Sequence, residues 1–72
     1  MKTSTHTSEY RSVISKLKQV REKSGLTQAR VAKKLGKPQS YVSKIESGER
    51  RLDIIELKTI AKLYKKSVQD FI

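Results

Sequence analysis

The sequence predicts an all-α fold, a compact five-helix bundle. Apolar residues recur at spacings of three and four residues from Tyr10 onward, the period of an amphipathic helix. Residues that start and stop helices bracket each run: Thr27, Pro38 and Asp53 at starts, Gly25, Gly36 and Gly48 at ends. No segment alternates apolar and polar residues as a half-buried strand would, and there is no internal repeat or low-complexity block.

Residues 1–9 (MKTSTHTSE) carry no apolar period and are expected to be a mobile tail ahead of a domain spanning residues 10–72. The first helix should run from about Tyr10 to Ser24, with Val13, Ile14, Leu17 and Val20 as its stripe and Gly25 as a left-handed cap. Leu26 anchors the following turn. A second helix is expected over Gln28 to Leu35. Thr27 suits its N-cap, because a hydroxyl there accepts an orphan backbone N–H. Val31, Ala32 and Leu35 face inward, and the small Ala32 lets a neighbouring helix approach closely. A third helix should run from about Gln39 to Ser47. Pro38 fits its start, since the N–H that proline lacks would be unpaired there. The fourth starts at Asp53, with Glu56 three residues on as a capping box, and points Ile54, Leu57, Ile60, Ala61 and Tyr64 inward. A last short helix begins at Ser67 and carries Val68 and Phe71.

Composition narrows the function. At 72 residues the chain is one domain, near the lower limit of size for folding without staples. It has no cysteine, so neither disulfides nor thiolate metal sites are available. The lone His6 cannot make a metal cluster, and no cofactor is implied. No apolar run approaches the roughly 20 residues of a membrane span, and the polar start is unlike a secretory signal. An intracellular, cytoplasmic protein is therefore expected. No nucleophile, base and acid set and no Gly-rich phosphate loop suggest an enzyme. Charge is the strongest signal: seventeen basic against seven acidic residues give +10. Residues 25–51 hold seven basic and two acidic residues, whereas residues 52–72 hold four and three. The excess lies on and before the central two-helix unit, and a polyanionic partner is its simplest physical reason.

The third helix has two different faces. At about 100° per residue from Gln39, Val42 falls near about 300° and Ile45 near about 240°, which sets the buried side. Opposite lie Ser43 at about 40°, Ser47 at about 80°, Ser40 at about 100° and Lys44 at about 140°. Gln39 occupies the first turn. This set suits base edges in a major groove: Gln pairs with adenine, Lys reaches guanine, and Ser donates or accepts. Tyr41 lies on the flank, placed either to touch a phosphate or a thymine methyl or to pack partly buried.

With LKQVREKSGLTQARVA (17–32), KLG (34–36), SYVSKIESGER (40–50) and IAKL (60–63), the chain resembles the helix-turn-helix DNA-binding domains of the phage lambda repressor and Cro type, the XRE family. The resemblance implies that Gln28 opens the second helix, binds a phosphate and braces the recognition helix, and that Gln39 is its partner and contacts a base. It implies base-facing roles for Ser40, Ser43 and Lys44, and phosphate contacts for Ser47, Gly48, Arg50 and Arg51. Arg21 and Glu46 match a structural salt bridge. The chain departs from the pattern at Leu52, where proline is frequent, at Tyr64, where leucine is usual, and at Lys65, where glycine is preferred.

The expected function is sequence-specific binding of double-stranded DNA by a transcriptional regulator, a repressor above all, acting as a homodimer on half-sites about 34 Å apart. The alternatives are an antitoxin or adaptor with a protein partner, and an RNA-binding protein. The latter lacks a stacking platform, since Tyr10, Tyr41, Tyr64 and Phe71 are spread over different elements.

Overall fold

Helix α1 (Ser8–Lys23) opens the structure, a computed structural model that describes residues 8–72. Its buried residues Ile14, Leu17 and Arg21 are spaced by three and four. It starts two residues before the expected Tyr10. Ser8 and Glu9 are thus helical, and Glu9 places a carboxylate in the first turn, where the helix dipole favours it. The rest of the expected tail, and His6, lie outside the described residues. After α1, Gly25 (φ 74°) turns left-handed, and Leu26 N donates to Arg21 O at 3.2 Å.

Helices α2 (Gln28–Leu35) and α3 (Gln39–Ser47) have the expected bounds. Thr27 Oγ1 accepts from Arg30 N at 3.1 Å. The turn between the two helices closes through Lys37 N donating to Ala32 O at 2.9 Å. Val31, Ala32 and Val42 form a small core between the two helices. The larger core gathers Ile14 and Leu17 of α1, Ile45 of α3, Leu52 of the following loop, and Leu57, Ile60 and Ala61 of α4 (Ile54–Leu63) around Phe71. Leu35, Tyr41 and Tyr64 pack against both.

Asp53 and Glu56 close the capping box of α4: Glu56 N donates to Asp53 Oδ1 at 2.7 Å and Asp53 N to Glu56 Oε1 at 3.0 Å. Two expectations are corrected here. The bundle has four α-helices, not five, because the last element is a 3₁₀ turn, Val68–Asp70. Its tighter bonding, with Phe71 N donating to Val68 O at 2.9 Å, swings Phe71 fully into the core. Ile54, expected inside, is 57% exposed. It lies within about 20° of the azimuth of Ala61 but in the first turn of α4, ahead of the buried Leu57, Ile60 and Ala61.

The departures from the family pattern have local physical solutions. Leu52 is buried, and its N–H donates to Tyr10 Oη at 2.8 Å, a bond that proline could not make. Lys65 adopts the left-handed conformation (φ 60°) that closes α4, with Lys66 N donating to Ala61 O at 2.8 Å and Lys65 N to Lys62 O at 2.9 Å. Only glycine takes this conformation without a Cβ penalty of roughly 1–2 kcal/mol. Lys65→Gly should therefore stabilise the domain by about 1 kcal/mol, against a smaller loss from the freer unfolded chain. Thermal unfolding should show a rise of a few degrees, and a lower midpoint would contradict this account of the α4 cap.

Candidate nucleic-acid interface

The orientation of α3 is set by two apolar side chains. Val42 and Ile45 are 5% and 3% exposed, so the opposite side of a nine-residue helix must face solvent. Gln39, Ser40, Lys44 and Ser47 are exposed along it, with Ser43 half-buried at its edge. The serine hydroxyls back-bond within the helix, Ser43 Oγ donating to Ser40 O at 3.3 Å and Ser47 Oγ to Lys44 O at 3.2 Å. Ser47 Oγ also accepts from Glu49 N at 3.4 Å. A left-handed Gly48 ends the helix, and Arg50 N donates back to Lys44 O at 3.0 Å.

A buried polar network locks this helix to the others. Arg21 of α1 donates from Nε to Glu46 Oε2 at 2.7 Å and from Nη2 to Glu46 Oε1 at 3.0 Å. Its Nη1 donates to Leu26 O at 2.8 Å, which pins the turn before α2. Gln28, the first residue of α2, donates from Nε2 to Glu46 Oε1 at 2.9 Å. Gln28 thus braces α3 through Glu46. The hydrogen bond to Glu46 is the main reason that the Arg21 pKa lies above its ordinary value. Tyr64, where leucine is usual, lies beside this network, and burial pushes its hydroxyl up to about 12.

A second cluster sits on the flank of α3, away from the row of serines. Tyr41 Oη donates to Glu56 Oε2 at 3.1 Å. Arg50 donates to both oxygens of the same carboxylate, at 3.1 and 2.8 Å, and lies over the Tyr41 ring at 4.7 Å from its centroid. Lys37 Nζ approaches that ring at 5.3 Å. Arg50 also caps the carbonyl of Arg51, at 3.0 Å, while the Arg51 side chain is exposed. The structure therefore brings Gln39, Ser40, Ser43, Lys44 and Ser47 onto one surface, turns Gln28 inward, and gathers Tyr41 and Arg50 around Glu56. Burial, then the Glu56 contact, raises the Tyr41 pKa, while Arg50 holds the Glu56 carboxyl down at about 2.

Sequence reasoning missed Glu56 as the hub of this cluster. Its place three residues after Asp53 signals only a capping role, yet one carboxylate has two oxygens and several lone pairs to share. With Glu46, Asp53, Glu56 and Asp70 all engaged inside the domain, much of the negative charge is spent there and the surface is left basic. Among the described residues no group of His, Cys, Asp and Glu could hold a metal ion, and no helix is long and apolar enough to cross a membrane.

Two short helices joined by a tight turn, the second with an outward polar row, are the frame of a known family of domains. The helix-turn-helix profile matches residues 17–71. The chain belongs to the helix-turn-helix family of the XRE, phage lambda repressor and Cro type. Membership places this helix-turn-helix domain in a DNA-binding class of regulators. No curated protein sequence matches it. Among solved structures it is similar to crystal structures of Fe(II) HppE. One, in complex with substrate, is 27% identical over 85% of this chain, with a TM-score of 0.77. Another, with the alternative substrate (S)-1-HPP, is 26% identical over 99% of this chain, with a TM-score of 0.78. The chain spans about a third of the length of those proteins.

Two tests address the networks of this helix-turn-helix domain. Arg21→Ala or Glu46→Ala alone strands a buried charge and should cost about 3 kcal/mol or more, whereas Arg21→Met with Glu46→Leu should cost less than the sum of the two. Urea unfolding of the three variants checks this; additive losses would mean that the residues do not act as a pair. The Glu56 pKa, lowered from 4.5 to about 2, also has a pH signature. A carboxyl whose folded pKa is depressed contributes stability that is fully present above its unfolded pKa and lost as pH falls through the folded one. Stability should thus decline between about pH 4.5 and 2, and Glu56→Gln should flatten that part of the profile. An unchanged acid limb in the variant would rule out the Arg50–Glu56 contact as its source.

Proposed function

We propose that this helix-turn-helix domain binds double-stranded DNA in a sequence-specific manner and serves as a transcriptional regulator, most simply a repressor that occupies its operator. The supporting observation is the outward row Gln39, Ser40, Ser43, Lys44 and Ser47, opposite the buried Val42 and Ile45. The recognition helix α3 enters the major groove, and α2 crosses the backbone. Gln39 and Lys44 are the long side chains that reach base edges, toward adenine and guanine respectively. The serines are short enough to let the α3 backbone sit deep in the groove. While they keep their back-bonds, their remaining lone pairs accept from base amino groups.

Phosphate contacts fix the register without carrying sequence information. The α2 N-terminus attracts a phosphate through its dipole, and Gln28, having spent one amide N–H on Glu46, has a second to offer. Arg50 and Arg51 flank the far end of α3. Three N–H bonds hold Arg50 to Glu56 and Arg51, so it meets a phosphate with its other donors, from a fixed position. The flank residue Tyr41 supports Arg50 from below and touches the backbone only through that partner. DNA binding of this kind places the protein on the nucleoid, in the cytoplasm, and assigns it no catalytic step.

A single domain of this size covers few base pairs, so a homodimer on a near-palindromic operator completes the reading. Ile54, Ile55 and Ile72 are 57%, 64% and 70% exposed and offer apolar surface outside the outward row of α3. The same residues favour the second reading, an antitoxin or adaptor whose protein partner covers them.

Selection of bound sites from random duplex DNA tests the proposal directly, since it reports specificity, palindromy and half-site spacing together. On the selected duplex, Lys44→Ala should cost roughly 1–3 kcal/mol and relax the preference at one base position. Unchanged affinity and unchanged base preference would sink the placement of α3 in the groove.

A further inference from the structure

An open groove of about 360 Å³ runs between α1 and the C-terminal end of α3. Arg11, Ser15 and Lys18 line it from α1, and Ser47 and Gly48 from the end of α3. No role in DNA binding falls to α1 in the reading above, yet this groove shares Ser47 with the outward face of α3. The outward face of α3 therefore adjoins this groove through Ser47.

The charge of the groove is positive and uncompensated. Arg11 and Lys18 are exposed, and among the described residues neither takes part in a salt bridge. The carboxylate that borders the groove, Glu46, has both oxygens occupied by Arg21 and Gln28. Seven positions apart on one helix, Arg11 and Lys18 point the same way within about 20° and stand about 10 Å apart along the axis, far enough to serve two separate phosphates. Ser15 lies between them and adds a hydroxyl. Glu22, exposed one turn after Lys18, bounds the basic strip at its C-terminal end.

We infer that this groove seats the sugar-phosphate backbone of the DNA strand that passes the C-terminal end of α3, with Arg11 and Lys18 each neutralising one phosphate. The inference rests on the DNA-binding reading and extends the interface from α2 and α3 onto α1. Its contacts carry charge and position, and no base preference.

The test measures affinity against salt concentration for the selected duplex and for a scrambled duplex of equal length. Each phosphate contact adds about 0.9 to the slope of log K against log salt on B-DNA. Arg11→Ala with Lys18→Ala should reduce the slope by about two units on both duplexes and leave the base preference as in the wild type. Between 50 and 200 mM salt the wild type should lose roughly tenfold more affinity than this variant. Arg11→Lys with Lys18→Arg, which keeps both charges, should retain the wild-type slope, and thermal melting should show both variants folded. An unchanged slope in the alanine variant would overturn the inference while leaving the DNA-binding reading intact, provided that Lys44→Ala still relaxes specificity. A changed base preference at an unchanged slope would overturn it as well. A wild type that binds neither duplex would remove both.

Discussion

The buried contact between Arg21 and Glu46 is the constraint on which the arrangement of this domain depends. It joins α1 to α3 across 25 positions of sequence and extends to the turn before α2 through Leu26 O and to α2 through Gln28. A guanidinium suits this task because its fork of donors is planar and permanently charged, so one side chain bonds a carboxylate in bidentate fashion and a carbonyl at once. The apolar core alone would tolerate small rotations of α3 about its axis. The paired oxygens of Glu46 do not, since each has a fixed donor. Such a network stabilises weakly compared with hydrophobic packing, but it is directional, and direction is what a helix presented to a ligand requires.

From that constraint the two faces of α3 follow. Val42 contacts the small α2–α3 core and Ile45 the larger one, so a nine-residue helix belongs to both. Its exposed side has no apolar residue to bury and no carboxylate to repel a polyanion. The flank carrying Tyr41 is occupied by Arg50 and Glu56, which ties the loop after α3 to the capped start of α4. The same carboxylate that caps α4 thereby fixes a basic residue beside α3, and stability and presentation are coupled through one side chain. The occurrence of a similar fold as about a third of much longer chains fits a unit whose cohesion comes from short-range packing and a few directional bonds.

Much of this was legible in the sequence where local chemistry decides the outcome. The bounds of α2 and α3 follow from Thr27, Gly36, Pro38 and Gly48, because caps and left-handed turns depend on neighbours only. The outward row of α3 follows from the spacing of Val42 and Ile45. The misses share a different cause. Ile54 lies on the right azimuth of α4 but beyond the elements that cover it, which no periodicity reveals. The final element is a 3₁₀ turn that carries Phe71 into the core, a tertiary packing with no local signature. The sequence marks Glu56 as a cap and not as a partner of Arg50 and Tyr41, because the fold alone brings position 41 to position 56. The bond from Leu52 N to Tyr10 Oη spans 42 positions and has no local signature at all. The groove between α1 and α3 is likewise a product of the fold.

The central claim is that a rigid core presents the outer face of α3 to duplex DNA. Backbone amide shifts, followed by NMR as the selected duplex is titrated into the protein, test it most directly. The account predicts large perturbations at Gln39, Ser40, Ser43, Lys44 and the first residues of α2, with little change at Leu57, Ile60 and Ala61 in the core of α4. Perturbations confined to α4 and the 3₁₀ turn, with the α3 amides unmoved, would contradict it.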